Sequence, residues 1–114
     1  MSPEAIKDHA LAHPGACHVV QWRGSDVYKV GGKVFALVSH KRGQISVKCS
    51  DEAAAAFLIE IGVATRAPYL PRGGWVAFDL ATSDAGDLQE RISLSYRVVS
   101  MALPAELRQG LDGS

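Results

Sequence analysis

His9 and His13 stand four residues apart, so a helix would set both imidazoles on one face, a spacing at which two ring nitrogens can share a metal ion. Cys17 and His18 follow closely. Pro14-Gly15 turns the chain between that pair and those two residues, and no Cys-x-x-Cys accompanies them, so the sequence predicts no metal site. Gly31-Gly32-Lys33 lacks the upstream glycine and the downstream Ser/Thr with which a P-loop cradles phosphate; it reads as a turn between strands. Ser95 has neither a Gly-x-Ser-x-Gly elbow nor a triad order around it, and no two carboxylates have a spacing that argues for acid–base catalysis. Cys49 ends an apolar segment, where a thiol behaves as a small apolar side chain. The expectation is a chain that is not an enzyme and uses no metal or cofactor.

Binding chemistry is better represented. Arg72-Gly73-Gly74-Trp75 is a flexible cationic loop leading into an aromatic, a combination that can grip a phosphate or stack a base. The competing reading is that Trp75 opens a core strand and the glycines shape the loop. Charge is distributed unevenly. The whole chain is neutral, yet Arg23, Lys29, Lys33, Lys41, Arg42 and Lys48 face only Asp26 between positions 23 and 48, leaving that segment at +5. Such charge also keeps a solvent-facing hairpin soluble and blocks edge pairing.

These residues need elements to position them. At 114 residues the chain has length for one domain with its own core. Its apolar stretches fall far short of a membrane span, and the first residues lack the basic and apolar regions of a signal peptide. Two cysteines outside any Cys-x-x-Cys pair fit a reducing cytoplasm. Ser2-Pro3-Glu4 begins a helix that Pro14-Gly15 stops. Segments 18–22, 26–30, 33–39 and 44–49, rich in β-branched and aromatic residues, form an antiparallel meander in which Gly31-Gly32 supplies a tight turn. Ser50-Asp51-Glu52 caps a second helix ending at Gly62. Residues 64–74 read as a loop with one short edge strand, and 75–80 as a strand. Ser83-Asp84 caps the last helix, with Leu88, Ile92, Tyr96, Val99 and Leu103 on one face, until Pro104 ends or kinks it. The domain is assigned to 1–109, and 110–114 to a disordered tail.

Pairing outward from Gly31-Gly32 sets Val30 against Lys33 and Tyr28 against Phe35. One sheet face then collects Val27, Val34, Ala36, Val38, Ile45, Val47 and Cys49, the face that helices cover. The other collects Tyr28, Val30, Lys33, Phe35, Leu37, Ser46 and Lys48, with Lys41 and Arg42 on the turn at its rim. Rings interleaved with lysines can stack bases and neutralise phosphates. The alternative is that a helix or loop covers these rings while the lysines snorkel around it.

The run Lys29-Val30-Gly31-Gly32-Lys33-Val34-Phe35-Ala36-Leu37, with Lys48-Cys49, Pro68, Trp75, Ser95-Tyr96-Arg97-Val98-Val99 and Leu103-Pro104, resembles the MmcQ/YjbR family over nearly the whole chain. Ala12-His13-Pro14-Gly15-Ala16 resembles that family's Leu-Pro-Gly boundary, with His13 in place of the usual Leu. Arg23 separates Trp22 from Gly24 where members often read Trp-Gly or Phe-Gly, and Ser50-Asp51-Glu52 stands where they commonly read Asp-Pro-Glu. The resemblance implies a CyaY-like α+β fold, a single domain with helices on one face of an antiparallel sheet, similar to frataxin and to the DNA-binding domain of the phage activator MotA. Frataxin handles iron through acids on its first helix; here that helix offers only Glu4 and Asp8. The expected function is a binding module for DNA or other nucleic acid, with Tyr28, Lys33, Phe35, Lys41, Arg42, Lys48, Arg72 and Trp75 as its contacts. The alternative is a module that binds a protein or small ligand, or dimerises through the same sheet face.

Overall fold

Three helices begin where a short oxygen-bearing side chain satisfies a free amide. Ser2 Oγ accepts from Ala5 N–H at 3.1 Å, Asp51 Oδ1 from Ala54 N–H at 2.7 Å, and Asp84 Oδ2 from Asp87 N–H at 3.1 Å. The second and third caps are therefore the aspartates, one residue beyond Ser50 and Ser83. The computed structural model, which describes residues 1–70 and 72–112, runs α1 (Pro3–Leu11), β1 (Ala16–Gln21), β2 (Ser25–Val30), β3 (Lys33–Ser39), β4 (Gln44–Lys48), α2 (Glu52–Glu60), β5 (Thr65–Arg66), β6 (Trp75–Asp79), α3 (Ala85–Met101) and α4 (Ala105–Asp112). The strands form one antiparallel sheet in the order β1-β2-β3-β4-β6-β5. This is an α+β domain, with the expected meander extended by β6 and the two-residue edge strand β5. Among the described residues no helix is long and apolar enough to cross a membrane.

Gly31 and Gly32 take φ values of 57° and 80°, as the tight turn requires, and Val30 pairs with Lys33 as expected. Two residues later the register slips. Lys29 pairs with Val34, but Tyr28 pairs with Ala36, and Phe35 is the extra residue of a β-bulge. From there on every pair is shifted by one. Asp26 lies opposite Val38 and Val27 opposite Leu37, so β2 residues exchange faces relative to the symmetric expectation. Tyr28 and Val30 join Ala36, Val38, Ile45 and Val47 in the core, and the bulge sends Phe35 there too. The expected open face of Tyr28 and Phe35 is thus wrong: both side chains are fully buried. Val27 goes the other way, onto the reverse face with Leu37, Ser46 and Ala77.

All helical core contacts come from one side. Ile6 and Ala10 of α1, Ala55 and Leu58 of α2, and Leu88, Ile92, Tyr96 and Val99 of α3 fill a single cluster with the sheet. The Phe35 ring meets Tyr96 edge-on at 5.4 Å. Ser95, fully buried, donates its hydroxyl to Phe35 O at 2.5 Å and accepts from Lys48 N–H at 2.8 Å. The hydroxyl stands where β3–β4 pairing ends at Ala36 and Val47, and it ties α3 to both strands. Beyond Pro104 the chain re-enters a helix, α4, because Pro104 O accepts from Leu107 N–H and Arg108 N–H. The segment expected as a tail from residue 110 is therefore helical to Asp112, with Leu111 packed against the core; residues 113–114 lie outside the described ones.

Three stability effects follow, each measurable by urea unfolding. Phe35→Ala should cost about 3–5 kcal/mol, because it empties a fully buried aromatic site. Ser95→Ala should cost about 1–3 kcal/mol by leaving a buried carbonyl and a buried amide without a partner. Gly31→Ala should be more damaging than Gly32→Ala: positive φ costs roughly 1–3 kcal/mol at either site. Only at Gly31 would the new Cβ also meet a side chain, lying 2.7 Å from Leu103 Cδ1.

Candidate functional site

With Tyr28 and Phe35 in the core, the other six of the eight expected contact residues fall into three places. Tyr28 cannot reach a ligand: its hydroxyl is buried with no hydrogen-bond partner among the described residues. Burial, with the charges of Asp26 and Asp8 adding, pushes its phenol up to about 12. Lys33 is exposed on the β2–β3 turn. Lys41 and Arg42 are exposed on the β3–β4 turn, and the seven residues of β3 put the two turns roughly 20 Å apart. Lys48, Arg72 and Trp75 come together at a third place, beside α2.

The end of the sheet that carries Lys41 and Arg42 also carries the β1–β2 turn, since Gln21 pairs with Ser25 and Asp26 with Val38. That turn presents Trp22 and Arg23, neither of which was among the expected contacts. Trp22 is 43% exposed, and its φ of 48° and that of Arg23, 63°, make them the only non-glycine residues with positive φ among those described. Ser25 fixes the tip by donating its hydroxyl to Trp22 O at 3.0 Å. Arg23, Lys41 and Arg42 form no ion pair among the described residues. The carboxylates nearby are engaged: Asp79 Oδ1 accepts from Ala81 N–H, and Asp26 is held between His18 Nε2 at 2.7 Å and His40 Nε2 at 2.6 Å.

At the opposite side a cleft of about 640 Å³ opens between α2 and the segment leading into β6, lined by Ala56, Ile59, Arg66, Leu70, Arg72 and Trp75 among others. Lys48 is the cross-strand partner of Trp75, and its ammonium lies alongside Gly73, whose Cβ, were there one, would sit 3.6 Å from Nζ. The loop cannot drift from α2. Gly74 O accepts from Cys49 N–H at 2.8 Å, and a Cβ on Gly74 would come within 3.0 Å of Asp51 O.

A comparison with protein families matches residues 11–98 to the model described as YjbR. The chain belongs to the YjbR family. No curated protein matches it. Among solved structures, a crystal structure of the Deinococcus radiodurans protein DR2400, which carries a DUF419 domain, superposes with a TM-score of 0.82 at 20% identity, over 96% of this chain and 86% of that one. At that identity the likeness speaks for the fold.

The groups weighed for chemistry in this YjbR chain are occupied in packing. His13 Nδ1–H donates to His9 O at 3.0 Å and Ala10 O at 3.2 Å, so its Nε2 accepts from the Ser93 hydroxyl at 3.0 Å. His9 Nε2–H donates to Gln89 O at 3.0 Å and lies 3.1 Å from Ser93 Oγ. The pair thus clasps α1 to α3. Among the described residues no group of three or more His, Cys, Asp or Glu side chains could hold a metal ion. Cys17 is exposed and Cys49 buried, and both are free thiols. Burial pushes the Cys49 thiol up, with Arg91 pulling against it and Asp51 adding to it, so it is held as the unreactive thiol.

Asp26 is a carboxylate displaced from its ordinary range. Burial raises its pKa, but hydrogen bonds from His18 and His40, together with their charge, outweigh that and hold it below the ordinary 3.8. A depressed carboxylate stabilises the fold above its unfolded value and loses that contribution as pH falls through the folded one. Asp26→Asn should therefore be less stable than the parent at pH 6, and the gap should narrow below about pH 4, as read by thermal unfolding across pH.

Proposed function

We propose that this YjbR protein is a non-enzymatic binding module that takes single-stranded nucleic acid at the end of the sheet bearing the β1–β2 and β3–β4 turns. One observation carries the reading: an exposed tryptophan and its neighbouring arginine are both held in a backbone conformation that only glycine adopts freely. Backbone strain of this kind costs roughly 1–3 kcal/mol per residue and clusters at ligand-binding positions. Here it points Trp22 outward beside Arg23, with Lys41 and Arg42 on the adjacent turn. An indole offers a stacking surface to any unpaired base, and three exposed cations offer phosphate contacts. A single-stranded ligand satisfies both at once. This places the binding on turns rather than on the sheet face from which the sequence expectation started, and it needs no net positive charge over the whole chain. Two free thiols agree with a cytoplasmic setting.

The test is anisotropy of a labelled single-stranded oligonucleotide, titrated at salt concentrations between 50 and 200 mM. Affinity should fall steeply with salt, and changing Arg23, Lys41 and Arg42 together to Ala should flatten the slope by about 0.7 per lost contact. Trp22→Gly should weaken binding by about 1–3 kcal/mol, the worth of one stacked base, while the unfolding free energy holds or rises as the strain at that position relaxes. Duplex DNA should bind more weakly than the single strand. Salt-independent binding, or an unchanged affinity in the triple variant, would overturn the proposal.

A further inference from the structure

The cleft beside α2 is a second, separate place where this molecule can hold a ligand, and we infer that it takes a small monoanion with a flat apolar body. The inference does not rest on the nucleic-acid reading, because no residue is shared between the two surfaces. Its ground is the match between the shape of the cleft and its charge. On the α2 side the lining side chains are short, Ala55 and Ala56, so the helix surface is low there. Trp75 lines the same cavity from β6 and is half-buried, which leaves part of its indole free to meet a planar group. A cavity of about 640 Å³ lies within the range that accommodates small organic ligands.

Charge selects among such ligands. Arg66 and Arg72 line the cleft, and the Lys48 ammonium lies beside Gly73 in its wall. Glu52 and Glu60 line it too, leaving an excess of a single positive charge over these five groups. Glu52 is drawn to the loop, its Oε1 accepting from Gly73 N–H at 3.4 Å. A polyphosphate would bring several negative charges to a cleft that also holds two carboxylates, and a neutral ring would leave the single excess positive charge unmatched. One carboxylate, sulfonate or phosphate monoester next to an aromatic or alicyclic body suits both features. The site is also held open from below. Gly73 and Gly74 have φ of 88° and 80°, and the Cys49–Gly74 hydrogen bond fixes the loop against the end of β4. The neighbouring residue at that end of β4 is anchored in turn, through Lys48 N–H, to the buried Ser95.

A probe pair with the same skeleton tests this directly. 1-Anilinonaphthalene-8-sulfonate carries one sulfonate on a flat apolar body, and N-phenyl-1-naphthylamine is its uncharged counterpart. The folded protein should bind the sulfonate at one site, at least tenfold more tightly than the neutral probe, with energy transfer from tryptophan that drops sharply in Trp75→Phe. Arg72→Ala should reduce sulfonate affinity about tenfold and leave the neutral probe unchanged. Ala56→Leu, which fills the cleft, should weaken both. Arg72 is exposed, so its variant should unfold at the parental temperature and keeps the test decisive even if filling the cleft perturbs the fold. Equal affinity for the two probes, no loss in Arg72→Ala, or no saturable binding by the folded protein would each overturn the inference. None of those outcomes bears on oligonucleotide binding at the turns, and loss of oligonucleotide binding in the Trp22 variant would leave the cleft untouched.

Discussion

The hydroxyl of Ser95 occupies the junction on which this structure turns. It is fully buried, 60 residues from the carbonyl it donates to and 47 from the amide whose bond it accepts. The β3–β4 pairing ends at Ala36 and Val47, next to Phe35, the extra residue of the β2–β3 bulge, and the Phe35 carbonyl and the Lys48 amide need partners from elsewhere. Ser95 supplies both from α3. The Phe35 ring at the bulge meets Tyr96, so α3 is fixed to the sheet by a polar and an aromatic contact from adjacent residues. Lys48, whose amide the hydroxyl holds, is the cross-strand partner of Trp75, so the same junction reaches the wall of the cleft.

The same bulge marks the limit of what could be read from the chain. Turn glycines, capping side chains and the 3.6-residue stripe of α3 are local signals, and the elements they imply are present. The face assignment was not local. Symmetric pairing from Gly31-Gly32 holds for two residue pairs and then fails by one, and a slip of one residue in a strand reverses every side chain. Phe35 and Val34 carry no glycine or charge to mark the extra residue. The compensating signal lies far away, in a serine on an apolar helix stripe next to Tyr96, and its meaning appears only once the strands are in place. α4 was hidden for a related reason: Pro104 both ends α3 and opens the next helix, as proline at a first turn can, and the sequence alone shows only the ending.

Among the contacts expected from sequence, Lys33, Lys41, Arg42 and Arg72 are exposed, whereas the rings of Tyr28 and Phe35 are buried. Lys41, Arg42, Lys48 and Arg72 are long side chains on turns and strand ends, where charge stays near solvent whichever face a strand presents. Tyr28 and Phe35 depended on face and went to the core. The tryptophans divide differently: Trp75 lines a cleft formed by α2 and a loop, and Trp22 stands out on a turn. The signal that would have found Trp22 was the Trp-Arg-Gly sequence between two β-branched segments, in which Arg23 separates the aromatic from the glycine and forces two non-glycine residues into the left-handed region.

Neutral overall charge therefore says little about where this molecule can hold an anion. The core side of the sheet is closed by helices, and the central residues of the reverse side, Val27, Leu37, Ser46 and Ala77, are buried as well. The exposed cations of the meander lie at its perimeter, where turns meet strand ends, and there they are separated into groups by the length of β3. His13 fits this division. Its ring packs 4.7 Å from Tyr96 while its two nitrogens join α1 to α3 through backbone carbonyls and Ser93. A leucine there would keep the packing and lose the clasp. Interior rigidity of this kind allows strain to be held at the tip of the β1–β2 hairpin: Trp22 and Arg23 would relax if the strand ends could shift, and Ser25, buried and bonded to Trp22 O, denies them that freedom.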